Sequence, residues 1–161
     1  PPGDYQFFNL IARFTTPTGR LLNATADAYA GSFYDGRRMS LGLESSRNFS
    51  SHLELGGEYE ISRVEFPDRD QEFVAHVGRV RLVAMLDVRY SVTAFLQYSS
   101  ASDKAVTNVR LRYNPSEGTD VYLVYDEGLN TDRRRQDPLL PRTSDRTIML
   151  KAAVNTNWSR R

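Results

Sequence analysis

RYSVTAFLQYSSASDKAVTNVRLRYNPSEGTDVYLVYD, residues 89–126, alternates apolar and polar side chains three times over. Tyr90, Val92, Ala94, Leu96 and Tyr98 fall on one side of an extended chain; Ser91, Thr93, Phe95 and Gln97 fall on the other. After the polar break Ser100-Ala101-Ser102-Asp103 the pattern returns, with Val109, Leu111 and Tyr113 set against Asn108, Arg110 and Arg112. Asn114-Pro115-Ser116-Glu117-Gly118 reads as a turn, and Val121, Leu123 and Tyr125 begin a third stripe. Successive side chains of a strand point to opposite faces, so each segment is one strand with an apolar and a polar side. Tyrosines close the stripes: Tyr90 and Tyr98 on one strand, Tyr113 and Tyr125 on the next two. Alternating faces with aromatic rims are the pattern of a membrane β-barrel.

Composition narrows the classes. A chain of 161 residues fits a single β-barrel domain, residues 1–161. A net charge of +1 makes no electrostatic case for nucleic acid. The one basic cluster, Arg133-Arg134-Arg135, is flanked by acidic and polar residues. A hydrophobic fraction of 40% suits a barrel with a polar lumen, because only alternate residues need be apolar. No run approaches the ~20 apolar residues of a membrane helix, so any span is made by strands. Without cysteine there is neither a disulfide nor a Cys-ligated metal. The opening Pro1-Pro2-Gly3-Asp4 lacks the basic-then-apolar pattern of a signal peptide, so a processed form or a piece of a longer chain is expected.

The rest of the chain extends the alternation. A first strand is expected over residues 5–14 and an Ala-rich second over 21–33, where Leu22, Ala24, Ala26, Ala28 and Ala30 alternate with Asn23, Thr25, Asp27 and Tyr29. Alanine favours helix, but strict alternation argues strand. Asp35-Gly36 signals a hairpin. A third strand carries Met39, Leu41 and Leu43 opposite Ser40, Gly42 and Glu44, and residues 46–50 are read as its turn. The fourth runs over 53–64 and the fifth over 73–86, separated by the charged loop 67–71. Residues 87–89 lead into the stretch quoted above. The longest irregular region is placed at 127–145, before a ninth strand over 147–158.

Three expectations follow. Short turns (16–19, 46–50, 87–89, 114–118) alternate with charged or longer loops (67–71, 99–104, 127–145), as in outer-membrane barrels with short periplasmic turns; the tight Asp35-Gly36 is the exception. The polar face should form a lumen of mixed sign, carrying Asp27, Glu44, Glu58, Glu60, Arg79, Arg81, Arg110, Arg112 and Lys151, with Glu58 and Glu60 near Arg79 and Arg81. Tyr90, Tyr113 and Trp158 should mark one rim of an aromatic girdle, and Tyr98, Tyr125 and Tyr59 the other. Nine strands leave the first and last parallel, whereas bacterial single-chain barrels use even numbers. The reading is therefore an antiparallel up-and-down transmembrane barrel of eight or nine strands, or the C-terminal part of a larger one.

A family resemblance adds to this. Residues 55–60 with Arg63-Val64-Glu65-Phe66-Pro67, then Val80-Arg81-Leu82, Phe95-Leu96-Gln97-Tyr98, Asn108-Val109-Arg110-Leu111-Arg112-Tyr113 and Gly118-Thr119-Asp120-Val121-Tyr122-Leu123-Val124-Tyr125 occur in a familiar order. Together they resemble the C-terminal end of an uncharacterised bacterial outer-membrane barrel family. The resemblance covers about residues 53–154. It implies full-length members with an N-terminal carbohydrate-binding-module-like domain ahead of a large barrel, and it carries over no catalytic residues.

Site chemistry is sparse. His52 and His76 lack metal-ligand spacing such as HxH or HExxH. His76 is in phase with the apolar stripe, where an interfacial histidine is the plain reading; an outer-rim hydrolase using it with Asp68, Asp70 and Glu72 is the alternative. Glu58 and Glu60 share a face as a glycosidase acid pair would, but neighbouring arginines would neutralise them. Asp126, Glu127, Asp132 and Asp137 have no EF-hand spacing. No metal, cofactor or catalytic residue is assigned. The expected function is a passive or gated outer-membrane conduit, partnered by the lipid bilayer and by other envelope proteins or upstream strands. The alternative is a soluble β-barrel or sandwich that binds a small ligand or a protein.

Overall fold

The computed structural model describes residues 7–17 and 22–155. It contains nine strands: β1 (Asn9–Thr15), β2 (Leu22–Phe33), β3 (Gly36–Ser50), β4 (Leu53–Phe66), β5 (Gln71–Met85), β6 (Tyr90–Ser99), β7 (Lys104–Ser116), β8 (Thr119–Asn130) and β9 (Thr143–Val154). The remaining element is one turn of 3-10 helix at Pro67–Arg69. Each strand pairs antiparallel with the next in a single sheet ordered β1 to β9, the up-and-down, all-β architecture that the alternation implies. The Ala-rich segment is a strand along its described length, paired on both sides. Its alternating phase outweighs the helical preference of alanine because both neighbours offer complementary stripes. Among the described residues the sheet is open: β1 pairs only with β2, and β9 only with β8.

Directly paired residues share a face, so the register assigns every side chain. One face carries the rows Leu10–Ala30–Met39, Ala28–Leu41–Ile61, Leu55–Leu82–Ala94–Val109–Tyr125–Ile148 and Val92–Leu111–Leu123–Leu150. The other carries most of the charged and hydroxyl residues, interspersed with apolar ones such as Val77, Val83, Phe95 and Val124. Exposure runs opposite to that of a water-soluble fold. On β3 and β4, Met39, Leu41, Leu43, Leu55 and Tyr59 are exposed, while the intervening Arg38, Ser40, Gly42, Glu54, Glu58 and Glu60 are half-buried. Leu41 is 61% accessible. Side chains crowd together inside a curved sheet and splay apart outside it, so the polar side is the inner one. Among the described residues the only buried hydrophobic side chain is Val64, at 9% accessibility. Among the described residues no apolar core is present of the kind that holds a soluble barrel or sandwich together in water.

Several boundaries differ from those expected of the sequence. The two-residue loop between β2 and β3 is Tyr34-Asp35, not Asp35-Gly36: Gly36 pairs with Phe33 inside the strand. Tyr34 takes the left-handed conformation (φ 53°), its ring edge-on to Phe33 at 5.0 Å. Gly36 is needed in the strand because the Glu65 carbonyl occupies the space where a Cβ would stand, 2.2 Å away. Residues 46–50 are strand rather than turn, with a bulge between Asn48 and Ser50 and the reversal at Ser51-His52. Asn48 still pairs with Glu54, and the Arg47 guanidinium lies 5.0 Å over the Phe49 ring, so this polar segment stays extended. The irregular region expected at 127–145 shrinks to 131–142, because β8 continues through Asn130 and β9 begins at Thr143. Cross-strand partners extend the ladder there: Glu127 opposes Arg146, and Asn130 caps it by donating its backbone N–H to the Arg142 carbonyl (2.9 Å).

The outer ends of two hairpins are clasped together. Asp35 accepts from Arg69 of the 3-10 turn, and that contact holds the Asp35 carboxyl below its ordinary pKa. The Arg69 guanidinium also lies 5.0 Å over the Phe66 ring, which in turn faces Phe33 at 6.3 Å.

Glycine substitution separates these positions. Gly36→Ala is expected to destabilise by about 1–3 kcal/mol, since a backbone carbonyl must move. Gly78→Ala, with nothing within 4 Å of its Cβ, is expected to be neutral or to stabilise by about 0.4–1 kcal/mol. Denaturant titration of the two folded variants measures the difference, and equal midpoints would contradict the packing at Gly36.

Candidate functional site

The polar face is the feature with chemical content. β1–β4 place five carboxylates on it (Asp27, Glu44, Glu54, Glu58 and Glu60) against the two guanidiniums of Arg13 and Arg38. β5–β9 reverse the balance, with six cations (Arg79, Arg81, Lys104, Arg110, Arg112 and Lys151) against Asp120, Asp126 and Asp145. Every residue of the expected charge ladder therefore lies on this face.

The pairings are partly those expected. Arg79 does bond Glu58, its direct cross-strand partner, and also donates to the Gln97 side chain at 3.0 Å. Glu60, by contrast, reaches Arg38 on β3 (3.5 Å), and Arg81 reaches Glu54 (3.5 Å). The reason is register: Glu60 sits opposite Val77 and Arg81 opposite Gly56, so each charge finds its partner on a diagonal. Asp27 pairs with Arg13, and Asp120 with Arg112 at 2.7 Å. All these side chains remain substantially exposed, so each pair contributes only about 0.2–1 kcal/mol. Glu44, Arg110 and Lys151 form no hydrogen bond or ion pair with other described residues.

The acidic part of the face is hollow. A shallow depression of about 270 Å³ lies over β1–β4, lined by Arg13, Asp27, Glu44, Glu58 and Glu60, with Gly42 providing its floor.

The apolar face carries charges too, at positions the alternation alone did not single out. Arg63 binds Glu65 (2.6 Å) and Glu72 (2.8 Å), and Arg146 binds Glu127. Glu127 also accepts from the Tyr125 hydroxyl (2.6 Å) and the Thr143 hydroxyl (3.2 Å). Arg37, Arg63, Glu65, Glu72, Glu127 and Arg146 all lie toward the loop end of their strands, where each interrupts an apolar stripe. The signal was present as phase: Ile61-x-Arg63-x-Glu65 and Tyr125-x-Glu127 continue the apolar side, not the polar one.

The described residues of the expected girdle occupy that face, whereas Tyr29, Phe95 and Tyr122 lie on the polar one. Tyr90 and Tyr113 are direct partners with stacked rings 4.7 Å apart. Tyr98 is one residue from the end of β6, while Tyr59 and Tyr125 are mid-strand. Each mid-strand hydroxyl has a partner, Tyr59 with His76 Nδ1 at 2.7 Å and Tyr125 with Glu127. Trp158 lies outside the described residues.

Among the described residues no catalytic arrangement assembles around the histidines. His76 is engaged by Tyr59, and Glu72 of the expected rim site is taken up by Arg63. His52 Nδ1 contacts only its neighbour Ser51 (2.9 Å). Glu58 is neutralised by Arg79, which removes it as one of a free acid pair. The acidic residues considered for calcium also diverge: Asp126 accepts from Asn108, Glu127 from three donors, and Asp132 from the Arg134 backbone N–H (2.9 Å). Among the described residues no group of three or more carboxylate or imidazole side chains converges on a metal position.

No family model and no curated protein matches this chain. Solved structures do. The KdgM porin in complex with disordered oligogalacturonate aligns with 94% of this chain and 76% of its own, at 12% identity and a TM-score of 0.45. The KdgM porin alone gives the same coverage and TM-score at 11% identity. The NanC porin aligns with 93% of this chain and 79% of its own, at 10% identity and a TM-score of 0.50. At such identity the likeness speaks to fold: this antiparallel sheet is similar to the β-barrel of the NanC porin.

Proposed function

We propose that the protein is a transmembrane β-barrel conduit of the bacterial outer membrane, passive or gated, with the polar face as its lumen. The observation that carries this reading is the inverted exposure of the sheet, whose apolar side chains are the accessible ones. The width of the apolar band fits as well. On β3 the outward stripe Met39, Leu41, Leu43 and Ser45 is bounded by Arg37 and Arg47, ten residues apart. At ~3.4 Å per residue and a tilt of ~45°, those arginines stand ~24 Å apart along the membrane normal, close to the ~25 Å apolar band of outer-membrane barrels. The ion pairs Arg63–Glu65 and Arg146–Glu127 then mark the outer interface, and the Tyr59–His76 hydrogen bond satisfies two polar groups that face hydrocarbon.

Closure belongs to the same proposal. The two free edges expose unpaired backbone groups, which hydrocarbon does not tolerate. Because β1 and β9 run in the same direction, an odd number of further strands would close the sheet antiparallel throughout. We assign those strands, and the carbohydrate-binding-module-like domain implied by the family resemblance, to sequence ahead of Pro1. The bilayer is the main partner of the assembled protein.

Cysteine labelling tests the topology. With a membrane-impermeant maleimide on intact cells, Asp70→Cys and Arg134→Cys are expected to react, since both residues are exposed at the loop end. Ser116→Cys, at the opposite end beside the Gly118 turn, is expected to react only after lysis. Labelling of Ser116→Cys alone on intact cells would invert the orientation. A monodisperse preparation without detergent would refute the membrane reading altogether.

A further inference from the structure

Charges on the inner face are balanced in number but segregated in space. Among the described residues eight cations face eight carboxylates, yet β1–β4 are acidic and β5–β9 basic. Consecutive strands of an up-and-down barrel occupy contiguous arcs of its circumference. Curling this sheet therefore sets an acidic wall against a basic wall, wherever the closing strands are inserted.

The side chains without an ion-pair partner leave a net charge of the same sign on each wall. Among the described residues Glu44 has no ion pair on the acidic wall, where its charge still acts on Arg13; on the basic wall Lys104, Arg110 and Lys151 have none, against Asp126 and Asp145, which accept only from Asn108 and Ser144. Glu44 and Arg110 are both mid-strand, six residues from the periplasmic ends of β3 and β7. Paired charges such as Glu58 and Arg79 largely cancel at a distance, whereas unpaired ones project a field across the lumen. The glycine-floored hollow beside Glu44 gives a solute room to approach that wall.

We propose that this lumen selects for dipolar solutes: small zwitterions with a separated ammonium and carboxylate, such as amino acids and short peptides. The proposal rests on the conduit reading and gives it a substrate class. A solute of net charge is drawn to one wall and repelled from the other, so neither sign is favoured overall. A zwitterion aligned across the lumen meets a carboxylate with its ammonium and a guanidinium with its carboxylate. A wall bearing mainly one sign would instead favour the opposite ion.

The test uses the full-length protein in planar bilayers and proteoliposomes. Under a KCl gradient the wild type should give a chloride-to-potassium permeability ratio between about 0.5 and 2, as expected for balanced charge. In liposome swelling, glycylglycine should enter about two- to fivefold faster than an uncharged solute of the same size. Glu44→Gln should shift ion selectivity toward chloride, and Arg110→Gln toward potassium. The double variant removes one charge of each sign, so it should retain the wild-type ion ratio while losing the glycylglycine advantage. A wild-type channel strongly selective for either ion, or one admitting glycylglycine no faster than the uncharged solute, would overturn the dipolar proposal while leaving the conduit intact. Absence of both conductance and swelling in correctly inserted protein would overturn the conduit reading itself. The wild-type measurements decide the matter even if a variant fails to insert.

Discussion

Leu111→Arg is expected to stop this protein from assembling in a bilayer. Leu111 sits mid-strand on the outward face, between Val92 on β6 and Leu123 on β8, with 42% of its surface accessible. A guanidinium there faces hydrocarbon without a carboxylate opposite it. The cost in barrels of this kind is about 2–4 kcal/mol near the midplane. Leu96→Arg, beside Val80 and Thr107, should behave alike. The control is Thr147→Arg, on the inner face opposite Asp126, where the new charge gains a partner worth about 0.2–1 kcal/mol. Thr93→Arg is also inward but faces Arg110, so a like-charge penalty of the same small size is expected. Folding into lipid vesicles, followed by heat-modifiable gel migration, separates the two groups. Equal yields for Leu111→Arg and Thr147→Arg would mean that the faces are assigned wrongly.

The second large effect is expected in hydrogen exchange of residues 1–161 in detergent. Outward-pointing amides of β1 and β9 have no strand to bond to, whereas those of β5, β6 and β7 are paired on both sides. Edge amides should exchange about a thousandfold faster than those at the centre of β6, corresponding to an opening free energy about 4 kcal/mol smaller. Adding the strands proposed to lie upstream should protect the β1 edge and close the gap. Uniform protection along Asn9–Thr15 and Thr143–Val154 in the short chain would show that its two edges already pair with each other.

Both predictions depend on a register of which the sequence reveals only half. The alternation Tyr90–Tyr98 states that Leu96 and Thr93 lie on opposite faces, because a strand's two-residue period is local. It cannot state that Thr93 faces Arg110, which depends on where two distant segments meet. The same limit explains Glu60 and Arg81, expected near one another but each paired elsewhere, with Arg38 and Glu54. It also explains Gly36, which reads as a turn residue until the Glu65 carbonyl is seen against it. Polar residues at 46–50 and 127–130 look like loops in isolation. They are strands because neighbours with matching partners, Glu54 for Asn48 and Arg146 for Glu127, extend the ladder.

The sequence by itself determined that the chain folds into eight or nine strands, the order of short and long connections, and the apolar and polar side of each strand. All of these follow from period and turn chemistry along a few consecutive residues. Only the tertiary structure decided which charges neutralise one another and which do not, that the apolar side is the accessible one, and that β1 and β9 are not paired with each other. These depend on cross-strand register and on curvature, properties of the whole sheet. A one-residue slip in pairing would leave every local pattern unchanged and still carry each inward charge to the lipid side.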